Sequence, residues 1–461
     1  MKKLVLSLFL SLTLIACSNS NNSDKSNVII LKENKLAKIL QDVNFGWWNA
    51  FNDIYLMTYI TEGLEYNSDL KILDLKLNEF KKFVDYSNGE RLPEVGIGLE
   101  YFASDNIPVP LPKEKALMLP LIANYEFDVW GKNSYKTKSA EKSFEAYKYK
   151  VKANYISFVS NIVNLYFNIV KLDKLIDIQR EIVSIKMNIV DEVALKLQSE
   201  LSTEVEFNKS EQELKLAQNT LDNLESNRNT LISQFYYLLG RQPKVDAELP
   251  RIDFENLIYI SDSVDSVPSD VIFSRPDVIA VEKEMEKANI DIKVARKEFL
   301  PTFEISGQLI WNNFLSGGFF SASNTIKSLL LGTKYNLFTG GRLDANLEIS
   351  QLRYEQMLES YKKVSFYALK EINDIIYTMK NDIVINNRNI EVFKLEEKNF
   401  AKYQEQNANG LLSNIDLLKL KQVLLKSLAD VVDSSVKVLV DNVDLYKATT
   451  GVKKEEIKNE K

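Results

Sequence analysis

Residues 132–239, 342–409 and 411–450 of this 461-residue chain contain neither glycine nor proline. These are the two residues that break helices, one by lost backbone entropy and the other by a missing N–H. Runs of this length therefore predict helices well beyond the usual size. Within them apolar side chains recur at steps of three and four: Tyr155, Val159, Ile162, Tyr166, Ile169, Leu172, Ile176, and again Ala368, Ile372, Ile375, Met379, Ile383. That is the spacing of a helix packed in a coiled coil. A helix over 132–199 would reach about 100 Å at the standard rise per residue, more than a compact domain contains.

The long runs belong to a repeated plan. Tyr125-Glu126-Phe127-Asp128-Val129-Trp130-Gly131-Lys132 recurs as Tyr335-Asn336-Leu337-Phe338-Thr339-Gly340-Gly341-Arg342, and Glu200-Leu201-Ser202-Thr203-Glu204-Val205-Glu206 as Gly410-Leu411-Leu412-Ser413-Asn414-Ile415-Asp416. The offset between Tyr125 and Tyr335 equals that between Glu200 and Gly410, 210 positions in each case. One structural unit used twice is the expectation, with a first repeat over 31–240, a linking segment over 241–276, a second repeat over 277–451 and a charged tail over 452–461.

Four segments alternate at period two: Val95 to Tyr101, Leu119 to Val129, Phe303 to Trp311 and Leu329 to Leu337. One face of each is apolar, and the other carries residues such as Gly96, Asn124, Glu304, Gln308 and Lys334. At about 9–11 residues each, they have the length and pattern of tilted membrane-spanning strands. Lipid leaves no water to satisfy an open edge, so such strands must close into a barrel. Four strands cannot close one, whereas three chains would supply twelve. The bridging stretches 104–115 and 313–324, rich in Pro, Gly and Ser, suit external loops, and Trp130, Trp311, Tyr101, Tyr125 and Tyr335 suit interfacial aromatic girdles. A half-buried soluble sheet shares the same alternation; the export signal favours the membrane.

That signal occupies residues 1–16. Lys2 and Lys3 precede an apolar run from Leu4 to Ile15, and Leu14-Ile15-Ala16-Cys17 closes it. The run is too short to remain as a spanning helix and is expected to be cut before Cys17, whose thiol then carries lipid. Several acyl chains together give stable anchoring, and Ser18 after the lipidated residue points to the outer membrane. Residues 17–30 read as a flexible tether. Cys17 is the only cysteine, and the chain has no histidine. Disulfides within the chain, Cys-ligated zinc, His-containing metal sites and histidine general-base catalysis are thereby excluded. A net charge of −6 offers no polycationic face, so nucleic acid is not an expected partner. No metal site, no cofactor beyond the lipid and no enzymatic activity are expected.

Trp47-Trp48, Phe51, Asp53, Leu56, Ile60, Leu64, Asn67, Asp69 and Leu70 resemble the N-terminal signature of outer-membrane efflux proteins, the TolC-like family, in its lipoprotein branch. Tyr125-Glu126-Phe127-Asp128-Val129-Trp130-Gly131, Leu239-Gly240-Arg241-Gln242-Pro243, Arg275-Pro276-Asp277, Phe299-Leu300-Pro301 and Gly340-Gly341-Arg342 add to the resemblance, in family order. It implies a mixed α and β fold: a homotrimeric twelve-stranded barrel continuing into a periplasmic helical tunnel. It also implies a passive exit duct for an inner-membrane pump joined by a periplasmic adaptor. A lipid-anchored coiled-coil lipoprotein without a pore is the alternative.

The resemblance further implies that the tunnel narrows at its periplasmic tip. Gly410-Leu411-Leu412-Ser413-Asn414-Ile415-Asp416 matches the family's Gly-x-x-Ser-x-x-Asp motif, making Asp416 the candidate gate carboxylate and Leu412 a candidate apolar constriction. Glu206 is the counterpart in the first repeat, and Lys419, one turn past Asp416, is placed to pair with Asp416 within the helix or across chains. Without the resemblance, Asp416 reads as a helix-start carboxylate favoured by the macrodipole. The tips around Ser202, Thr203, Gly410, Leu411 and Ser413 are the expected adaptor-docking points. Glu200 stands where the motif has Gly, which predicts a different backbone solution for that turn.

Overall fold

A computed structural model describes residues 47–103, 115–245, 247–258, 266–314 and 318–450, all within one unit, Gly46–Lys461. The signal, Cys17, the tether and the charged tail lie outside the described residues, as does most of the 104–115 loop.

The described helices are α1 (Ile54–Tyr66), α2 (Ser68–Gly89), α3 (Lys132–Gln198), α4 (Glu204–Leu238), the short α5 (Ser269–Phe273), α6 (Pro276–Lys297), α7 (Arg342–Ala408) and α8 (Asn414–Ala448). The breaker-free runs are thus helical apart from the turn at 199–203 and a few residues at their ends. α3 and α7 are each 67 residues long, and α4 and α8 each 35. The periodic stripe is the core: Tyr155, Val159, Ile162, Tyr166, Ile169 and Ile176 of α3 are buried, as are Ala368, Ile372 and Met379 of α7. α3 packs against α2, α4, α6 and α8, and α7 against α6 and α8. No described helix is long and apolar enough to cross a membrane.

One antiparallel sheet holds β1 (Glu94–Ile97), β2 (Glu100–Ala103), β3 (Lys115–Phe127), β4 (Thr302–Asn312) and β5 (Thr325–Lys334), with β1 and β2 both on β3, then β4, then β5. The single first strand expected from the alternation is therefore two. Their register against β3 is continuous, Ile97 opposite Leu121 and Glu100 opposite Met118, so the break is a gap in one ladder. Pro120 causes it. Its carbonyl accepts from Gly98 N at 2.8 Å; its nitrogen faces the same neighbour and has no hydrogen to return. The opposite ladder, where Pro120 faces Ile310, runs unbroken from Met118 to Phe127. The last strand also ends earlier than the alternation suggested, at Lys334, because its partner begins at Thr302 behind Pro301 and offers nothing beyond the Thr302–Lys334 pair.

Both outer strands expose apolar side chains: Val95, Ile97 and Tyr101 on one edge, and Leu329, Leu330 and Leu331 on the other. Phe127 of β3 leads within a few residues to α3, and Lys334 of β5 to α7. Each long helix starts behind a left-handed glycine, Gly131 at φ 72° and Gly341 at φ 78°. Asp128 caps the first turn of α3 from upstream, accepting from Asn133 N at 2.9 Å and Ser134 N at 2.8 Å. The Trp130 indole donates to Pro301 O at 2.7 Å, tying the end of β3 to the start of β4.

Midway along the helices the segment after α4 acts as a strap. Tyr59 donates to Pro250 O at 2.7 Å, Arg251 Nη2 to Asp173 Oδ1 at 2.6 Å and Arg241 Nε to Glu62 Oε1 at 2.5 Å. Asp53, buried at the start of α1, caps Tyr55 N and Leu56 N through Oδ1. Its Oδ2 accepts from the Tyr166 hydroxyl at 2.5 Å, and that hydroxyl accepts from Ile252 N at 3.2 Å. Three sequence-distant segments meet on one phenol, whose burial raises its pKa far above the ordinary tyrosine value.

Candidate functional site at the helix tips

The sequence-derived site residues lie in two turns, α3 to α4 and α7 to α8. Their backbones are the same. Glu200 N donates to Leu197 O at 3.0 Å and Leu201 N to Lys196 O at 2.8 Å; Gly410 N donates to Asn407 O at 3.0 Å and Leu411 N to Gln406 O at 2.8 Å. This double bond is the Schellman closure of a helix. It requires a left-handed residue after the C-cap, supplied by Gly410 at φ 73° and by Glu200 at φ 59°. The different backbone solution expected for the first turn is not found. Glu200 takes the glycine conformation itself, at a steric cost of about 1–2 kcal/mol.

Each turn is followed by a capped helix start. Thr203 Oγ1 accepts from Glu206 N at 3.2 Å, while the Glu206 carboxylate accepts from Thr203 N at 3.4 Å and from Ser202 Oγ at 2.6 Å. Ser413 Oγ accepts from Asp416 N at 3.1 Å and donates to Asp416 Oδ2 at 2.6 Å. Glu206 and Asp416 are therefore equivalent: exposed carboxylates at the third helical position, hydrogen-bonded to the cap and facing the positive helix end. The Ser202 hydroxyl first, then the Thr203 N–H, hold the Glu206 carboxyl below its ordinary pKa, with Lys196 and Lys419 adding to the effect.

Lys419 does not pair with Asp416 within this chain. Its charge acts on Glu206 and on Glu213 of α4, so the lysine of the second repeat faces the first. Leu412 is half-buried, and its carbonyl accepts from Asn407 Nδ2 at 3.0 Å. Ile415 anchors the start of α8 in a cluster with Ile178, Ile185 and Ile189 of α3, and Asn414 hydrogen-bonds Glu192. Leu201, Val205 and Leu411 point into solvent, each more than three-quarters exposed. The tips thus combine rigid turns, capped carboxylates and bare apolar side chains. They hold no group of metal-ligating residues, and none occurs among the described residues.

One charged cluster escaped the sequence reading. Asp382 and Asp441 sit buried between α7 and α8 beside Lys437. The signal was present, since Asp382 follows Met379 and Asp441 follows Val438 by three residues on the apolar stripes.

The family model described as outer membrane efflux protein matches residues 60–241 and 267–451. The cation efflux system protein CusC of Escherichia coli K12 is 22% identical over 429 residues, covering 88% of this chain and 89% of that protein. Toxin and drug export protein A of Aggregatibacter actinomycetemcomitans is 22% identical over 375 residues, 81% of each chain. Among solved structures, the Campylobacter jejuni CmeC outer membrane channel superposes with a TM-score of 0.79 at 18% identity, over 90% of both chains. The open-state Neisseria gonorrhoeae MtrE outer membrane channel gives 0.78 at 18%, over 89% of this chain and 93% of that one.

Proposed function

The chain belongs to the outer membrane efflux protein family, and on that premise we propose that it is the outer-membrane duct of a tripartite export system, three copies closing one water path. The observation that carries this is the sheet. Among the described residues the outer edge of each outer strand has no strand beside it, these strands are clad in exposed apolar side chains, and the sheet leads within a few residues into the 67-residue helices. An open apolar edge in lipid must find another strand, and β1/β2 of one copy meeting β5 of the next satisfies both. Three sheets then make a barrel, and the paired helices below make a tunnel whose equal lengths reflect an internal duplication. Lipid on Cys17 anchors the assembly, and the duct itself performs no chemistry.

In this arrangement Asp416 lines the periplasmic end as a ring of three carboxylates, with Leu412 one turn outside it and Glu206 beside it. Like charges around a narrow opening favour cations and repel one another, while Lys419 moderates the field from the Glu206 side. A periplasmic adaptor, itself joined to the inner-membrane pump, docks on the tips through Leu201, Ser202, Thr203, Gly410, Leu411 and Ser413.

Planar-bilayer recording of the purified chain tests the reading. Discrete cation-preferring conductance is expected, and Asp416→Ala should raise the leak and lower the cation preference. A chain that never conducts is a pore-less lipoprotein. Photocrosslinkers at Ser202 and Ser413 should capture a periplasmic partner in cells; persistent silence at both positions would remove the docking assignment.

A further inference from the structure

Between α7 and α8 an apolar seam with Ile372, Met379 and Leu445 buried in it gives way toward the tips to hydrogen bonds of Asn386 and Asn389 with Ser434 and Ser435. Asp382 from α7 and Asp441 from α8 interrupt it. Both are buried, Asp382 at 2% exposure and Asp441 at 8%. Lys437 Nζ donates to Asp382 Oδ1 at 3.1 Å and lies 3.0 Å from its Oδ2. Asp441, one turn from Lys437 on α8, and Asp382 each keep an Oδ2 buried without a hydrogen bond, and the two carboxyls act on one another. One lysine thus faces two buried carboxyls. With both ionised the pair would carry a net negative charge in a low-dielectric seam, which burial penalises. One proton between them converts the contact into a hydrogen bond and leaves Lys437 to neutralise the remaining charge.

We propose that Asp382 and Asp441 share one proton across the α7–α8 seam and make it a pH-sensitive joint, tight while the proton is held and loosened when it leaves to water. The groups that act on Asp441 define the window. Burial pushes it up to about 7, the Asp382 charge and hydrogen bond add to the rise, Lys437 opposes it and Asp444 adds a smaller push. α3, packed on the other side of α8, offers Asn164 to Asp444 at 3.0 Å and Lys171 to Asp433 at 3.0 Å. The folded value exceeds the unfolded one, about 3.9, so the folded chain holds a proton that the unfolded chain has released. This stabilisation is complete below the unfolded value and fades as pH rises to about 7. The device needs no second copy and stands apart from the tip carboxylates.

The full-length chain in detergent tests it by infrared spectroscopy and amide hydrogen exchange corrected for intrinsic rates. A protonated-carboxyl band should bleach as pH rises through about 7 and be absent in Asp441→Asn. Exchange over residues 376–386 and 436–445 should quicken across the same window in the natural chain and stay level in Asp441→Asn, whose amide donates to Asp382 at any pH. Lys437→Gln, on a more exposed side chain, should move the midpoint to higher pH by removing the cation that favours ionisation. An unchanged band in Asp441→Asn, matching exchange profiles, or an unmoved midpoint in Lys437→Gln would each overturn the proposal; the last holds even if Asp441→Asn does not fold.

Discussion

Glu200 and Gly410 show what a single side chain costs when the backbone is dictated by its surroundings. Both close a helix in the left-handed region, and only one suits it. Glu200→Gly should stabilise the α3–α4 turn by about 1 kcal/mol, the steric relief being partly offset by the extra freedom of the unfolded chain; slower amide exchange at 196–201 would register the gain. Gly410→Ala should cost about as much at the other tip. Gly240 is more tightly constrained, because at φ 73° a Cβ would lie 2.5 Å from the Tyr66 carbonyl oxygen. Gly240→Ala is therefore expected to destabilise by roughly 2–4 kcal/mol, read by denaturant unfolding. Tyr166→Phe, which strands Asp53 Oδ2 and the Ile252 N–H, should cost about 1–3 kcal/mol in the same assay.

At the scale of elements, the breakers decide. Where glycine and proline are missing, α3, α4, α7 and α8 run as the sequence predicted, within a few residues at their ends. Where proline intrudes, the strands depart from simple alternation. Pro120→Val supplies the missing donor opposite Gly98 and should merge β1 and β2 into one continuous strand. The expected gain is about 0.5–1.5 kcal/mol, with the new amide at position 120 protected from exchange; a freely exchanging amide there would mean that another cause splits the ladder. Side-chain alternation reports which face a residue takes and is silent on whether its partner across the ladder can donate. That is why the four expected strands became five.

For the molecule as a whole, local rules reached the helices, the strand faces and the Gly410 turn, because caps and periodicity are encoded within a few residues, and missed the Glu200 turn, where a non-glycine residue takes the left-handed conformation. The strap was not legible. Tyr59 to Pro250, Arg251 to Asp173 and Asp53 to Tyr166 join positions far apart in the chain, and no short-range pattern encodes such partners. The Asp382–Asp441 pair was half legible: each aspartate breaks an apolar stripe, and only the packing of α7 on α8 reveals that the two breaks coincide.

The equal lengths of α3 and α7 make the pair a gauge. One heptad inserted into α3 alone would carry its tip roughly 10 Å past its neighbour, separating Lys419 from Glu206 and leaving the end uneven. Descendants of this chain can lengthen or shorten their reach across the envelope only by editing both rods together, so any indel tolerated in one should be mirrored 210 positions away.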